Sequence, residues 1–252
     1  MSGLRSDRAV EATPVASSGR KLQHIGIVAP TVEGAALCYR TIAREGQALL
    51  GVNELPEVSL HGLALARYMP LAEAGNWPAV GELLLVSARK LAASGADFVI
   101  LPCNTMHHGW VHAAPRSPIP WLHIARVVAG EARRRGFRRL AVLGTRLTME
   151  GTVYPEVLRE AGVNHAVPEA AERRETDRII FEELLLDRLL PESRRYLVGV
   201  IERMKGDGCD AAVLACTELP LLVGPEDSPL PILDSTRLLA RAAVLRAAGR
   251  EP

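Results

Sequence analysis

The chain has no apolar run approaching the ~20 residues that a bilayer-spanning helix needs; its apolar stretches are short and interrupted. No membrane association is expected. It also lacks an excess of charge of either sign, with 30 Lys and Arg against 29 Asp and Glu, so no global field draws it to nucleic acid. One local basic run, Arg133, Arg134, Arg135, Arg138 and Arg139, reads as the solvated end of a helix and the turn after it, where cations complement the helix dipole. Cysteine is scarce: four in 252 residues, without short repeated spacing. That argues against a disulfide framework and makes reduced thiols in a cytoplasmic protein the expectation. The first twenty residues carry Arg5, Asp7, Arg8 and Glu11 but no apolar core of the signal-peptide kind. Residues 1–22 are read as a disordered leader.

What the chain does have is alternation. Short Val-, Ile- and Leu-rich runs alternate with longer helical patterns, the mark of parallel sheets covered by crossover helices, so the fold class is α/β. Strands are expected at 24–29, 57–62, 96–102, 121–124, 139–144, 211–215 and 231–234. Helices are expected near 33–45, 78–93, 104–113, 125–135, 151–161, 174–204 with a break at Pro191, and 235–248.

One pattern occurs twice. Gly95-Ala96-Asp97-Phe98-Val99-Ile100-Leu101-Pro102-Cys103-Asn104-Thr105 is echoed by Gly208-Cys209-Asp210-Ala211-Ala212-Val213-Leu214-Ala215-Cys216-Thr217-Glu218. Each copy sets a cysteine just past the carboxyl end of a strand, where open parallel sheets bind ligands. Two equivalent lobes facing each other would place these thiols on opposite sides of one cleft. Pro115, Pro118 and Pro120 mark the passage between lobes, giving a first lobe of 23–120 plus 226–252 and a second of 121–225.

Two opposed thiols suit proton transfer at a carbon centre. One removes a weakly acidic Cα proton from one face while the other delivers a proton to the opposite face. A thiol's reference pKa of ~8.5 lies near operating pH, and a helix N-terminus lowers it further. Asn104, Thr105 and Thr217 supply hydrogen-bond donors beside the thiols, although Asn and Thr at such turns also serve as ordinary helix caps. Cys38, inside a helical pattern, and Cys209, ahead of a strand, lack this setting and read as packing residues. A zinc site built from Cys103, His107, His108 and His112 is disfavoured, because Gly109 follows His108 where a metalloprotease helix carries its glutamate. His61 and His123 stand at strand ends and either line a cleft or satisfy backbone groups.

LPCNTMH at 101–107 and LACTELPLL at 214–222 resemble the two cysteine motifs of the aspartate/glutamate racemase family, in particular its broad amino-acid racemase branch. The resemblance extends through SLHG at 59–62, AGNW at 74–77, WLHI at 121–124, LGTRLTMEGTVY at 143–154 and PEAAERRETDRIIFEEL at 168–184. It implies two pseudo-symmetric α/β lobes, a cofactor-independent racemase of free amino acids, no pyridoxal phosphate or metal, and a homodimer. It gives Cys103 and Cys216 the acid and base roles, and Asn104, Thr105, Thr145 and Thr217 the α-carboxylate or amino contacts. Arg174, with Arg173 as neighbouring candidate, would meet the distal carboxylate of an acidic substrate such as aspartate or glutamate. Both arginines also fit a plain charged helix start.

Several positions depart from the family pattern. The turn after the first strand is Ala29-Pro30-Thr31 where glycines and a methionine are common, and Thr31 becomes a candidate ligand contact. Ala215 replaces the usual glycine, and Arg126 stands where an acidic residue is common. Related hydantoin racemases, maleate isomerases and arylmalonate decarboxylases reuse such a cleft, so they remain alternatives. So do a non-catalytic amino-acid-binding protein and a Cys103/Cys216 redox disulfide.

Overall fold

The computed structural model describes residues 21–52 and 54–250; residues 1–20, nearly all of the expected leader, lie outside them. In chain order the elements are β1 (Ile25–Ala29), α1 (Val32–Leu50), β2 (Val58–Gly62), a 3-10 turn (Leu65–Arg67), α2 (Met69–Glu73), α3 (Trp77–Ala93), β3 (Phe98–Ile100), a 3-10 segment (Thr105–Gly109), α4 (Trp110–Ala113), a 3-10 turn (Ala114–Arg116) and β4 (Trp121–Leu122). There follow α5 (Ile124–Arg134), β5 (Arg139–Gly144), α6 (Arg146–Met149), α7 (Val153–Glu160), β6 (Asn164–Ala166), α8 (Ala170–Glu182), a 3-10 turn (Leu184–Leu186), α9 (Pro191–Gly206), β7 (Ala211–Ala215), α10 (Leu219–Leu222), β8 (Ile232–Asp234) and α11 (Ser235–Ala247).

The strands form two parallel four-stranded sheets, ordered β2-β1-β3-β4 and β6-β5-β7-β8. Counted within its own sheet, each runs 2-1-3-4, so the two halves share one topology. Every residue of β1, β3 and β7 is buried, as expected of parallel strands covered on both faces. In the first sheet, Ile25, Ile27, Phe98 and Ile100 pack toward α1 and α11, while Val28, Val99 and Leu101 pack toward α3. In the second, Ala141, Leu143 and Leu214 face α8 and α9, and Leu140, Val142 and Val213 face α5 and α7. Among the described residues no helix is long and apolar enough to cross a membrane.

The duplicated pattern has a structural half. Gly95 and Gly208 end α3 and α9 in left-handed backbone, at φ 95° and 87°, which glycine adopts without penalty. Asp97 accepts from the backbone N–H of His24 at 2.7 Å. Asp210 accepts from those of Arg138 and Arg139 at 2.7 and 3.0 Å. Each aspartate thus fixes the start of the neighbouring strand.

The partition of the chain differs from expectation at two strands. β4 starts at Trp121 yet pairs with β3, and β8 pairs with β7 although 226–252 was assigned to the first lobe. Each third strand is followed by a crossover that lays the fourth strand parallel beside it, and such connections keep to one sheet. After the second sheet α11 returns to the first lobe, packing against α1 and α5. The helical stretch expected over 174–204 with a break at Pro191 is divided there: the chain turns between α8 and α9 with Asp187 left-handed at φ 58°, and α8 starts earlier, at Ala170. Pro191 occupies the first turn of α9, where its missing N–H costs nothing. β6 was not foreseen. It is a three-residue edge strand, Asn-His-Ala, with no apolar signal.

The lobes approach closely at the start of α1. A Cβ on Gly34 would lie 2.8 Å from the Pro102 carbonyl oxygen and 2.8 Å from Thr217 Cγ2 of the second lobe. Because one of these atoms is backbone, relief requires α1 to move. Gly34→Ala is expected to lower stability by about 1–3 kcal/mol, the usual cost of overpacking, despite alanine's better helix propensity; urea unfolding measures it, and an unchanged midpoint would show that the approach is slack.

Candidate active site

The cleft between the sheets has a volume of about 350 Å³, within the range of small-molecule sites. Its polar wall comes from equivalent places in the two lobes. Thr31 follows the first strand of one sheet and Thr145 follows the first strand of the other. Cys103, Asn104 and Thr105 follow one third strand; Cys216, Thr217 and Glu218 follow the other. All of these line the cleft, as does Arg174. Thr31, Cys103, Asn104, Thr105, Thr145, Arg174, Cys216 and Thr217 are thus brought to one place, and all four cysteines are free thiols.

The loops are tied across the lobes by buried hydrogen bonds. Tyr154 donates its hydroxyl to Asn104 Oδ1 at 2.7 Å, Asn104 Nδ2 donates to Ser235 Oγ at 3.0 Å, and Ser235 Oγ donates to the Leu214 carbonyl at 2.9 Å. Both polar ends of the Asn104 amide are therefore engaged with the second lobe, a framing role that its place beside Cys103 did not suggest. Thr105 Oγ1 lies 2.8 Å from Thr145 Oγ1 and 3.0 Å from Thr148 Oγ1, closing a trio of hydroxyls between the lobes. Thr31 Oγ1 is buried without a partner among the described residues.

The nearby histidines serve the backbone. The Ile124 N–H donates to His107 Nε2 at 3.2 Å, which leaves Nδ1 as the protonated nitrogen, donating to the Cys103 carbonyl at 2.9 Å. Burial pushes the His107 ring down to about 4, so it stays neutral. His108 Nε2 lies 3.1 Å from the Leu147 carbonyl, and its ring stacks on Trp77 at 4.5 Å. Among the described residues no three His, Cys, Asp or Glu side chains are grouped to hold a metal ion. Arg173 is bound to Glu150 at 3.0 Å and to the Pro168 carbonyl at 2.8 Å, away from the cleft lining. Arg174 makes no ion pair among the described residues and is the arginine of the two that faces the cleft. Cys38 and Cys209 are buried in separate apolar clusters.

The thiols are tuned in the opposite direction from the one expected at helix starts. Burial pushes Cys103 up to about 12, against a weaker lowering by the backbone N–H groups of Met106 and Thr105. Cys216 is raised well above its ordinary value, first by burial and then by the charge of Glu218. The helices beyond them are only a 3-10 segment and a four-residue turn, too short for a sizeable dipole, so desolvation wins.

Glu218 is the site residue that the sequence reading missed. It is 3% exposed, and its Oε2 accepts from Cys216 Sγ at 2.9 Å and Thr217 Oγ1 at 2.7 Å. The signal was the mismatch in the duplicated pattern: the third residue of the motif is a threonine in one copy and a carboxylate in the other, which a capping role does not require.

The family model for Asp/Glu/hydantoin racemases matches residues 25–243. The chain belongs to that family. It is 26% identical over 166 residues to the broad-specificity amino-acid racemase RacX of Bacillus subtilis, covering 65% of this chain and 70% of that one. It superposes on the aspartate racemase homologue of Pyrococcus horikoshii with a TM-score of 0.79 at 27% identity, covering 90% of this chain and all of that one. Picrophilus torridus aspartate racemase shares the fold, with a TM-score of 0.75 at 21% identity over 91% of this chain and 95% of that one. Two facing lobes with parallel sheets are thus the architecture of this racemase family.

Because the thiolate is the nucleophile, raised pKa values have a direct consequence. Alkylation of Cys103 by iodoacetamide is expected to climb about tenfold per pH unit between roughly pH 7 and 10, without levelling near the ordinary thiol value of ~8.5. Glu218→Gln removes a negative charge beside Cys216, so its thiolate forms at lower pH and its alkylation quickens. Mass-spectrometric rates at each cysteine check both; a plateau near 8.5, or an unchanged Cys216 rate, contradicts them.

Proposed function

We propose that the protein racemises a free amino acid with Cys103 and Cys216 as paired acid and base, without a cofactor. The observation that carries the reading is the placement of the two thiols: they leave the third strands of two equivalent sheets and line one cleft. In one direction the thiolate on one side takes the Cα proton, breaking C–H and forming S–H. The electron pair left behind delocalises into the α-carboxylate, and the opposite thiol gives its proton to the other face. The product is the enantiomer, with thiol and thiolate exchanged, so the return reaction uses the same pair. The family assignment and the likeness to racemases support the reaction class, and the uncommitted Arg174 guanidinium supports aspartate or glutamate as substrate, since it offers a planar fork to a distal carboxylate. Cytoplasmic location and a dimeric state belong to the same proposal.

Thiols with raised pKa values fit this chemistry better than they first suggest. A base of high pKa is a strong proton acceptor once it is deprotonated, and the Cα proton of an amino acid is only weakly acidic. The cost is a small thiolate fraction at rest.

In deuterated water the protein is expected to exchange the Cα hydrogen and invert the chirality of aspartate or glutamate. Cys103→Ser and Cys216→Ser are each expected to lose on the order of 10²–10⁴ in racemisation rate, the usual worth of an acid/base group, while Cys38→Ala and Cys209→Ala retain it per folded molecule. No exchange with any amino acid tried, or full activity in a Cys103 or Cys216 variant, defeats the proposal. For the substrate side chain, Arg174→Gln is expected to raise KM for aspartate and glutamate about tenfold while sparing alanine and methionine, as befits a lost charge-assisted contact; an equal effect on all four removes Arg174 from substrate recognition.

A further inference from the structure

Glu218 presents a problem in electrostatics. The residue is buried, and its two carboxylate oxygens are used unequally. Oε2 accepts from Cys216 and Thr217. Oε1 is buried and has no partner among the described residues. No arginine, lysine or histidine is bonded to either oxygen among the described residues, although Arg146, Arg174 and Arg178 line the same cleft. Arg178 is held by Glu175 and Glu183 at 2.7 Å each, and Arg146 is held by Glu150 at 3.2 Å. A buried carboxylate with an orphaned oxygen is costly unless something completes it.

Position says what completes it. Glu218 lines the cleft beside the Cys216 thiol, so whatever meets Oε1 lies next to the carbon that exchanges its proton. Resting on the amino-acid racemase reading above, we propose that Glu218 Oε1 is the seat of the substrate's α-ammonium group. An ammonium there satisfies the orphaned oxygen, balances the buried charge, and leaves the α-carboxylate and side chain to the rest of the cleft. It has a second effect on Cys216. Glu218 disfavours the thiolate by like charge, and a cation bound to the same carboxylate cancels that repulsion. The resting enzyme keeps Cys216 protonated, and arrival of an amino group makes its deprotonation easier. Selection for the α-amino function and activation of the thiol then follow from one contact.

The inference concerns one functional group, so paired ligands test it. Racemic aspartate, glutamate and methionine, and their 2-hydroxy acid counterparts in which a hydroxyl replaces the ammonium, are titrated calorimetrically into the wild-type protein and into Glu218→Gln. Racemates are used so that turnover does not change the ligand composition. Wild type is expected to bind at least one amino acid more tightly than its hydroxy partner by about ten- to a hundredfold, the range for a hydrogen bond to a charged group. Glu218→Gln, which keeps shape and the acceptor for the thiol, is expected to lose that preference while binding the hydroxy acid as wild type does, which also shows that it is folded. An undiminished preference in Glu218→Gln overturns the inference and leaves the racemase reading intact. Failure of the wild type to bind any of the amino acids overturns the racemase reading itself.

Discussion

The buried chain of hydrogen bonds from Tyr154 through Asn104 and Ser235 to the Leu214 carbonyl holds the site together. The proposed two-sided proton transfer would tolerate little freedom between donor and acceptor, since loss of alignment at the reacting atom is expensive. Here the two thiols stand on loops from different sheets, and loops alone are poor rulers. The Asn104 amide, the residue next to Cys103, takes hold of α7 and of the start of α11, whose serine in turn grips the strand that ends beside Cys216. With the Thr105, Thr145 and Thr148 hydroxyls alongside, one loop is referred directly to the frame of the other. The polar groups that do this are buried and paired, the condition under which such networks rigidify a structure rather than weaken it.

That frame sits in a low-dielectric setting, and the setting decides the character of the thiols. Desolvation raises both, overriding the backbone N–H groups that favour the charged forms. The site therefore holds neutral thiols at rest, away from oxidants and electrophiles that attack thiolates. Glu218 adds charge in a place where burial makes it count. Its neighbours among the cleft arginines are spoken for by other carboxylates, with Arg174 the exception, so the cleft keeps one carboxylate at the thiol and one guanidinium elsewhere on its wall without letting them cancel.

Much of this was legible in the sequence because repetition and strand composition report on the backbone. The Gly, Asp, apolar strand and Cys recur since each half needs the same helix stop, the same clamp on its neighbouring strand and the same strand end. All eight candidate site residues, from Thr31 to Thr217, reach one cleft. What was not legible depends on long-range partners. Nothing near Asn104 in the chain announces Tyr154 or Ser235. β6, an edge strand of three residues paired with β5, carries no apolar alternation. Strands β4 and β8 were placed in the opposite lobes, since composition marks a strand without naming the sheet it joins. The thiol tuning was misjudged for a similar reason: helix starts are visible in sequence, while depth of burial is a property of the packed whole.

The return of α11 to the first sheet bears on how the molecule comes into being. The apolar cluster beside β1 and β3 is completed by Leu239, Ala240, Ala243 and Val244, which follow the entire second sheet in the chain. During synthesis the first lobe waits with that face uncovered while the second is made, and domains usually fold in order of emergence. Here the earlier half is finished by the later one, and Ser235 at the head of the same helix seats Asn104 at that moment. A ribosome-bound intermediate lacking α11 would thus hold both thiols while Asn104 still lacked its Ser235 partner.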